Sequence, residues 1–218
     1  MWAGGALFVG ALAVCGYSYG VAWSHAAAFD ATAGGIDTVF FSVFALHHTL
    51  FARASAKRWL SRAVPEPMLR SVYVWVASLL LISLCLAWQP IGAEAYHHHG
   101  ILAIAHGALQ LAGLGLIALA VRTIDPLELA GIRRHADAES LQITGPFRWV
   151  RHPLYSGWLL VTFGAAHMTG DRLIFAGISA CYLLIAMPFE ERSLRTSFGA
   201  AYDDYARRVP YRLIPYIY

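Results

Sequence analysis

Six long stretches of this chain, at residues 2–23, 36–52, 71–92, 100–121, 153–168 and 173–189, hold a single formally charged residue between them, Asp37. A helix needs about 20 mostly apolar residues to cross a hydrocarbon core of roughly 30 Å, so stretches like these predict membrane spans. The second, fifth and sixth are shorter, and such a segment either stands with little tilt, thins the bilayer, or enters as a hairpin without lying fully in lipid. The rest of the composition agrees: 58% of the residues are hydrophobic and 13% charged, against roughly 25% charged in soluble domains. With a mean hydropathy of +0.54, a water-soluble enzyme is excluded, and 218 residues leave no room for a separate dinucleotide-binding module beside the spans.

The basic residues test this reading independently of hydropathy. Arg53, Lys57, Arg58, Arg62 and Arg70 follow the second stretch; Arg122, Arg133, Arg134, Arg148 and Arg151 follow the fourth; Arg192, Arg195, Arg207, Arg208 and Arg212 follow the sixth. The remaining links hold only Arg172. Because Lys and Arg accumulate on the cytoplasmic side, the pattern predicts an all-α, polytopic transmembrane helix bundle with six spans and both termini in the cytoplasm. The first stretch lacks a basic leader and is read as an anchor rather than a signal peptide. Residues 1–121 form four N-terminal spans with a basic interfacial link at 53–70, and residues 122–218 form a second domain made of a cytoplasmic link, two spans and a C-terminal tail. The tail at 190–208 reads as a charged cytoplasmic helix closed by Pro210. Cys15, Cys85 and Cys181 lie apart inside apolar runs, as buried hydrophobes do, so no disulfide or thiolate metal site is expected. The scattered charges form no basic tract of the kind that binds nucleic acid, and no protein partner is inferred.

Two short segments carry chemistry. In the run from Thr144 to Gly157, Pro153 suits the first turn of a helix, with His152 near its cap. Unpaired N–H groups, the helix dipole and Arg151 there favour an anion such as a carboxylate. Tyr155 adds an aromatic wall, and Gly157 a gap where a ligand approaches the backbone. A plain capped helix start explains the same residues. The second segment is Glu190-Glu191, placed against the helix dipole at the end of the sixth stretch, so a cation must compensate. Arg192 or Arg195 is one source and a ligand ammonium the other. One helical hairpin joins the two segments, and together they suit a zwitterionic amino acid group.

The run Gly145-Pro146-Phe147-Arg148-Trp149-Val150-Arg151-His152-Pro153-Leu154-Tyr155-Ser156-Gly157, the Glu190-Glu191 pair, and the later Phe198-Gly199, Tyr202, Tyr205, Val209-Pro210 and Leu213-Ile214-Pro215 resemble the C-terminal half of the membrane-embedded methyltransferases, which include isoprenylcysteine carboxyl and phospholipid methyltransferases. The stretch from Ala45 to Arg53, with Arg70-Ser71-Val72-Tyr73, is similar to a narrower branch, the methanethiol S-methyltransferases and NnrU-type proteins. The resemblance implies S-adenosylmethionine as cofactor, held by Arg151, His152, Pro153, Tyr155, Gly157, Glu190, Glu191 and Tyr202 near the cytoplasmic face. One of the two glutamates holds the cofactor ammonium, and the faces of Tyr155 and Tyr202 suit a sulfonium. His152 and Arg208 are the catalytic candidates: His152 as proton acceptor for a neutral nucleophile, and Arg208, with Arg151, to orient an anionic acceptor or the cofactor carboxylate. The implied acceptor is a small thiol such as methanethiol, or alternatively a lipophilic carboxylate. Residues 124–141 are only loosely similar to any acceptor-defining segment, and specificity is expected there and in the second stretch.

Histidines outside these motifs suggest rivals. His97-His98-His99 are adjacent in sequence, project in different directions and read as exposed residues rather than a metal site. His47 and His48 lie inside an apolar stretch, where a histidine is costly and suggests function: an acceptor pocket, a hydrogen bond within the bundle, or the axial ligand of a haem-dependent isomerase. A non-catalytic membrane scaffold is the third possibility.

Overall fold

A computed structural model describes residues 2–25, 27–51, 54–124 and 141–218. Its elements, in order, are α1 (Trp2–Gly20), a 3-10 turn (Ala22–Ser24), α2 (Ala31–Phe51), α3 (Ala54–Leu60), α4 (Glu66–Ala87), β1 (Glu94–His97), α5 (Gly100–Ile124), a second 3-10 turn (Gly145–Arg148), α6 (Pro153–Phe163), β2 (His167–Thr169), α7 (Gly170–Phe198) and α8 (Ala200–Arg208). Among the described residues the fold is all-α apart from one two-stranded ribbon of β1 and β2. Arg53, Arg133, Arg134 and nearly all of the segment at 124–141 expected to set acceptor specificity lie outside the described residues.

Among the described residues, four helical stretches are long and apolar enough to cross a membrane: Gly4–Ser24, Met68–Ala87, Gly100–Ile124 and Gly170–Phe198. They correspond to the first, third, fourth and sixth apolar stretches. The second lies in α2, whose 21 residues are interrupted by Asp37, Thr38, Ser42, His47, His48 and Thr49. The fifth differs from expectation. Its helix, α6, has 11 residues, a rise of roughly 16 Å, about half the hydrocarbon thickness. It stops because its last carbonyls find partners on α5: Gln110 Nε2 donates to Val161 O at 3.0 Å and the His106 ring lies 3.3 Å from Gly164 O. With those acceptors satisfied, the chain turns into β2. The sixth runs longer than expected. Helix α7 continues through Pro188 to Phe198, so the Glu190-Glu191 pair sits within it, and the separate charged helix begins only after Gly199. That glycine has φ 53° and ψ −127°, a conformation costly to any residue with a Cβ.

The chain divides into two compact units. The first holds described residues up to Ala95 and the short piece Thr169–Ile174. Here α1 and α2 each pack on α4. The Asp171 carboxylate accepts from the Trp88 indole at 2.9 Å and from the Ile91 and Gly92 N–H groups at 3.0 and 3.2 Å. Arg172, 7% exposed, donates to the Tyr19 and Gly20 carbonyls, both at 2.8 Å, so the lone basic residue of its link caps the negative end of α1.

The second unit holds described residues 96–124 and 141–168 and the piece Phe175–Tyr218. Its α5 and α6 cross closely through paired glycines. A Cβ on Gly113 would sit 2.6 Å from Gly157 O, and one on Gly157 2.7 Å from Gly113 O. Small residues at such a crossing let backbones approach where lipid supplies no hydrophobic drive. The Trp158 indole ties α6 to Ser179 of α7 at 3.1 Å. Tyr202, Tyr205 and Val209 form the core under α8, packed by Leu141, Leu194, Phe198 and Ala206.

Candidate cofactor site

All of the candidate site lies in the second unit. Pro153 takes the first turn of α6 with His152 at its cap, as the sequence predicts, because the missing proline N–H costs nothing there. The N–H groups expected to await an anion are taken by the chain's own tail: Arg151 N–H donates to Tyr211 O and His152 N–H to Arg212 O, both at 2.9 Å. The Ser156 hydroxyl adds a 2.6 Å bond to Leu213 O. Residues 211–213 are therefore laced onto the start of α6.

Two glutamates on the last turns of α7 face this helix start with different surroundings. The Glu191 side chain is 6% exposed and faces three basic groups: Arg151 Nε at 2.8 Å, Arg212 Nη2 at 3.0 Å and His152 Nε2 at 3.3 Å. Arg151 also donates from Nη1 to the Val209 and Pro210 carbonyls at 2.9 and 2.7 Å. Glu190 has a 46% exposed side chain, accepts from the Tyr155 hydroxyl at 2.7 Å, and lies 3.6 Å from His152 Nδ1. His152 thus turns one ring nitrogen toward each carboxylate, with its ring stacked on Tyr155 at 5.3 Å. Burial makes such charges expensive unless each is matched, and Glu191 is matched by two guanidinium groups. The charge-assisted bond to Glu191 in turn pushes the Arg212 guanidinium above its ordinary value.

Of the cations within the chain that the sequence suggested, neither Arg192 nor Arg195 bonds to the acidic pair. Arg192 is exposed, and Arg195 pairs with Asp203 at 2.8 Å. The compensating residues are Arg151 and Arg212. Sequence reading missed Arg212, although a buried acid pair demands cations and Arg212 lies just before Leu213-Ile214-Pro215. Arg208 is not brought to the cluster: it is exposed, and its Nε donates to Asp204 O of its own helix at 3.4 Å. The gap left by Gly157 is filled by α5 rather than open to a ligand. Tyr202 is 1% exposed, with Arg195 Cζ 5.5 Å above its ring. Its buried hydroxyl has no hydrogen-bond partner among the described residues, and burial, first, with Glu191 nearby, pushes its phenol up to about 12. A cleft of about 410 Å³ opens beside the cluster, lined by Arg151, Arg195, Asp203, Ala206, Arg207 and Pro210, within the size range of small-ligand pockets, roughly 300–1,000 Å³.

In the first unit, the His48 ring accepts or donates a 2.8 Å bond with the Tyr73 hydroxyl. Neither ring nitrogen of His47 has a hydrogen-bond partner among the described residues, and the ring packs on Phe51 and Tyr73 at 4.9 and 5.6 Å.

Apolar helices with an organised charge cluster at their polar ends define an integral membrane protein with a candidate small-molecule site. Comparison with known proteins narrows the class. The methanethiol S-methyltransferase of Crocosphaera subtropica is 34% identical over 191 residues, covering 84% of this chain and 74% of its own length. One from Bradyrhizobium diazoefficiens is 35% identical over 191 residues, 84% of this chain and 73% of its own. Protein-S-isoprenylcysteine O-methyltransferase B of Arabidopsis thaliana is 32% identical over 80 residues, 35% of this chain and 41% of its own. No family model and no solved structure matches. The chain belongs to the methanethiol S-methyltransferase family.

Proposed function

We propose that this protein transfers the methyl group of S-adenosylmethionine to a small thiol such as methanethiol, with the cofactor held in the second unit where α6 begins and α7 ends. The observation that carries this reading is the unequal acidic pair beside His152 and Tyr155: a buried glutamate neutralised by two arginines, and a half-exposed one with room for a ligand. The fit to the cofactor is chemical. An amino acid moiety needs an anion for its ammonium, for which Glu190 is at hand, and a cation for its carboxylate, for which Arg195 and Arg207 line the adjoining cleft. The unpartnered hydroxyl of Tyr202 is a further polar atom suited to a ligand, since a buried hydroxyl without a bond costs stability. Glu190 is the carboxylate that takes the ammonium, because Glu191 is committed to Arg151 and Arg212. The Tyr155 ring supplies an electron-rich face near the cation.

When bound, S-adenosylmethionine supplies an electrophilic methyl group on a good leaving group. The work left to the protein is alignment and exclusion of water. A thiolate acceptor needs no base at the moment of attack, so His152 serves here to fix the two carboxylates rather than to move a proton. The basic residues support a six-passage topology with both termini in the cytoplasm, the fifth passage being made by short α6 together with the stretch that leads into β2, and the resemblance to bacterial enzymes suggests a bacterial inner membrane. The test is a calorimetric titration with S-adenosylhomocysteine. Wild type binds, Glu190→Gln and His152→Ala bind at least about tenfold more weakly, and absence of binding by folded wild type refutes the proposal.

A further inference from the structure

Past the far end of α6, the second unit gathers histidines. The His98 N–H donates to Ala166 O at 2.8 Å, which sets the end of β1 beside the start of β2. Side chains alternate along an extended strand, so the His97-His98-His99 run splits into two sets. His98 turns toward Tyr96 and His106, with ring centroids at 4.6 and 5.0 Å. His97 and His99 share the other side, their rings 4.3 Å apart. The neighbouring strand adds a third imidazole to that side: His167 stacks on His97 at 4.1 Å and 13°, with a nitrogen of each within 4.8 Å of the other. All three rings are at least partly exposed, so an ion has a path to them.

We propose that His97, His99 and His167 bind a divalent transition-metal ion. Three clustered imidazoles, two of them with nitrogens already within 4.8 Å of each other, are a donor set for zinc, copper(II) or nickel, and are poorly suited to magnesium or calcium, which take oxygen. Bonds of roughly 2.0–2.1 Å to a tetrahedral ion bring ligand nitrogens to roughly 3.4 Å apart, a closure that requires His97 and His167 to shift and the exposed His99 ring to turn toward them. One position remains for water or a fourth ligand. The ion staples the strand entering α5 to the strand following α6, and so fixes the two helices that cross at Gly113 and Gly157. Because α6 separates this cluster from His152 by 11 residues, roughly 16 Å, the metal site is distinct from the cofactor site and its role is structural.

The full chain, freed of any affinity tag, stripped with chelator and held in detergent micelles, is titrated with Co²⁺ while the visible d–d bands of the ion are followed. The expected result is one Co²⁺ per chain, bound in the micromolar range or tighter with the strong bands of a tetrahedral site, and displaced by Zn²⁺. His97→Ala and His167→Ala each weaken binding by about tenfold or more, whereas His98→Ala leaves it unchanged. Zn²⁺ also raises the unfolding midpoint of wild type, a readout independent of whether any variant folds. Millimolar or absent Co²⁺ binding by wild type, or a wild-type titration in the His97→Ala/His167→Ala protein, overturns the assignment.

Discussion

Replacing Glu191 with Gln removes the one negative charge that two guanidinium groups share, while keeping the side-chain volume. Hydrogen bonds to charged groups contribute roughly 1.5–3 kcal/mol each, and removing one member of a buried ion pair costs about 3–5 kcal/mol because the partner charge stays behind. The structure argues for the lower end. Arg212 has a 30% exposed side chain and re-enters water, whereas Arg151, at 10%, keeps the Val209 and Pro210 carbonyls. The expected loss is about 3 kcal/mol. At roughly 2–4 °C per kcal/mol for a chain of this size, the midpoint falls by about 6–12 °C. Intrinsic tryptophan fluorescence during heating in micelles measures it. Glu190→Gln is the internal control: a half-exposed carboxylate with one tyrosine bond changes stability by only about 0.5 kcal/mol, yet weakens S-adenosylhomocysteine binding. A Glu191→Gln midpoint equal to that of wild type, or a Glu190→Gln midpoint that falls as far as Glu191→Gln, refutes the division of labour between the two acids.

Other consequences follow from single contacts. Gly157→Ala drives a methyl group against Gly113 O and Ile117, both 2.7 Å away, and should cost about 1–3 kcal/mol, read as a lowered melting midpoint that Gly113→Ala reproduces. Arg212→Ala should cost about 1–2 kcal/mol through Glu191 and Tyr218, against about 0.5 or less for exposed Arg192→Ala; equal midpoints would remove the tail's role. Tyr202→Phe deletes a buried unpartnered hydroxyl, so it should leave the ligand-free protein as stable or more stable while weakening S-adenosylhomocysteine binding. The same phenol, pushed from 10.0 up to about 12, is neutral in folded and unfolded chains below pH 10. Between about pH 10 and 12 only the unfolded chain releases the proton, so stability falls as pH rises, by on the order of 2 kcal/mol. Tyr202→Phe should flatten that alkaline fall in a thermal-melt series.

Spans and motifs were legible in the sequence to different degrees. The four described helices long and apolar enough to cross announce themselves because every turn of a lipid-solvated helix must be apolar, a property of composition that needs no neighbour. The fifth stretch was just as apolar, yet its helix ends at Phe163. What stops it is a pair of α5 side chains, Gln110 and His106, satisfying its final carbonyls, and nothing local signals their approach. Pro153 at the start of α6 was readable for the opposite reason, since proline acts through its own backbone.

Within the site, the sequence by itself determined the reactive vocabulary: Arg151-His152-Pro153, Tyr155 and the Glu190-Glu191 pair, whose residue types restrict which ligand charges they can meet. Tertiary structure alone decided who pairs with whom. It brought Arg212 from the tail to Glu191, left Arg195 to Asp203 and Arg208 to its own helix, and filled the gap at Gly157 with α5. It likewise set His167 beside His97 across two strands. Ion pairing and coordination depend on distances of a few ångströms between residues far apart in the chain, and those distances are fixed only when helices and strands pack.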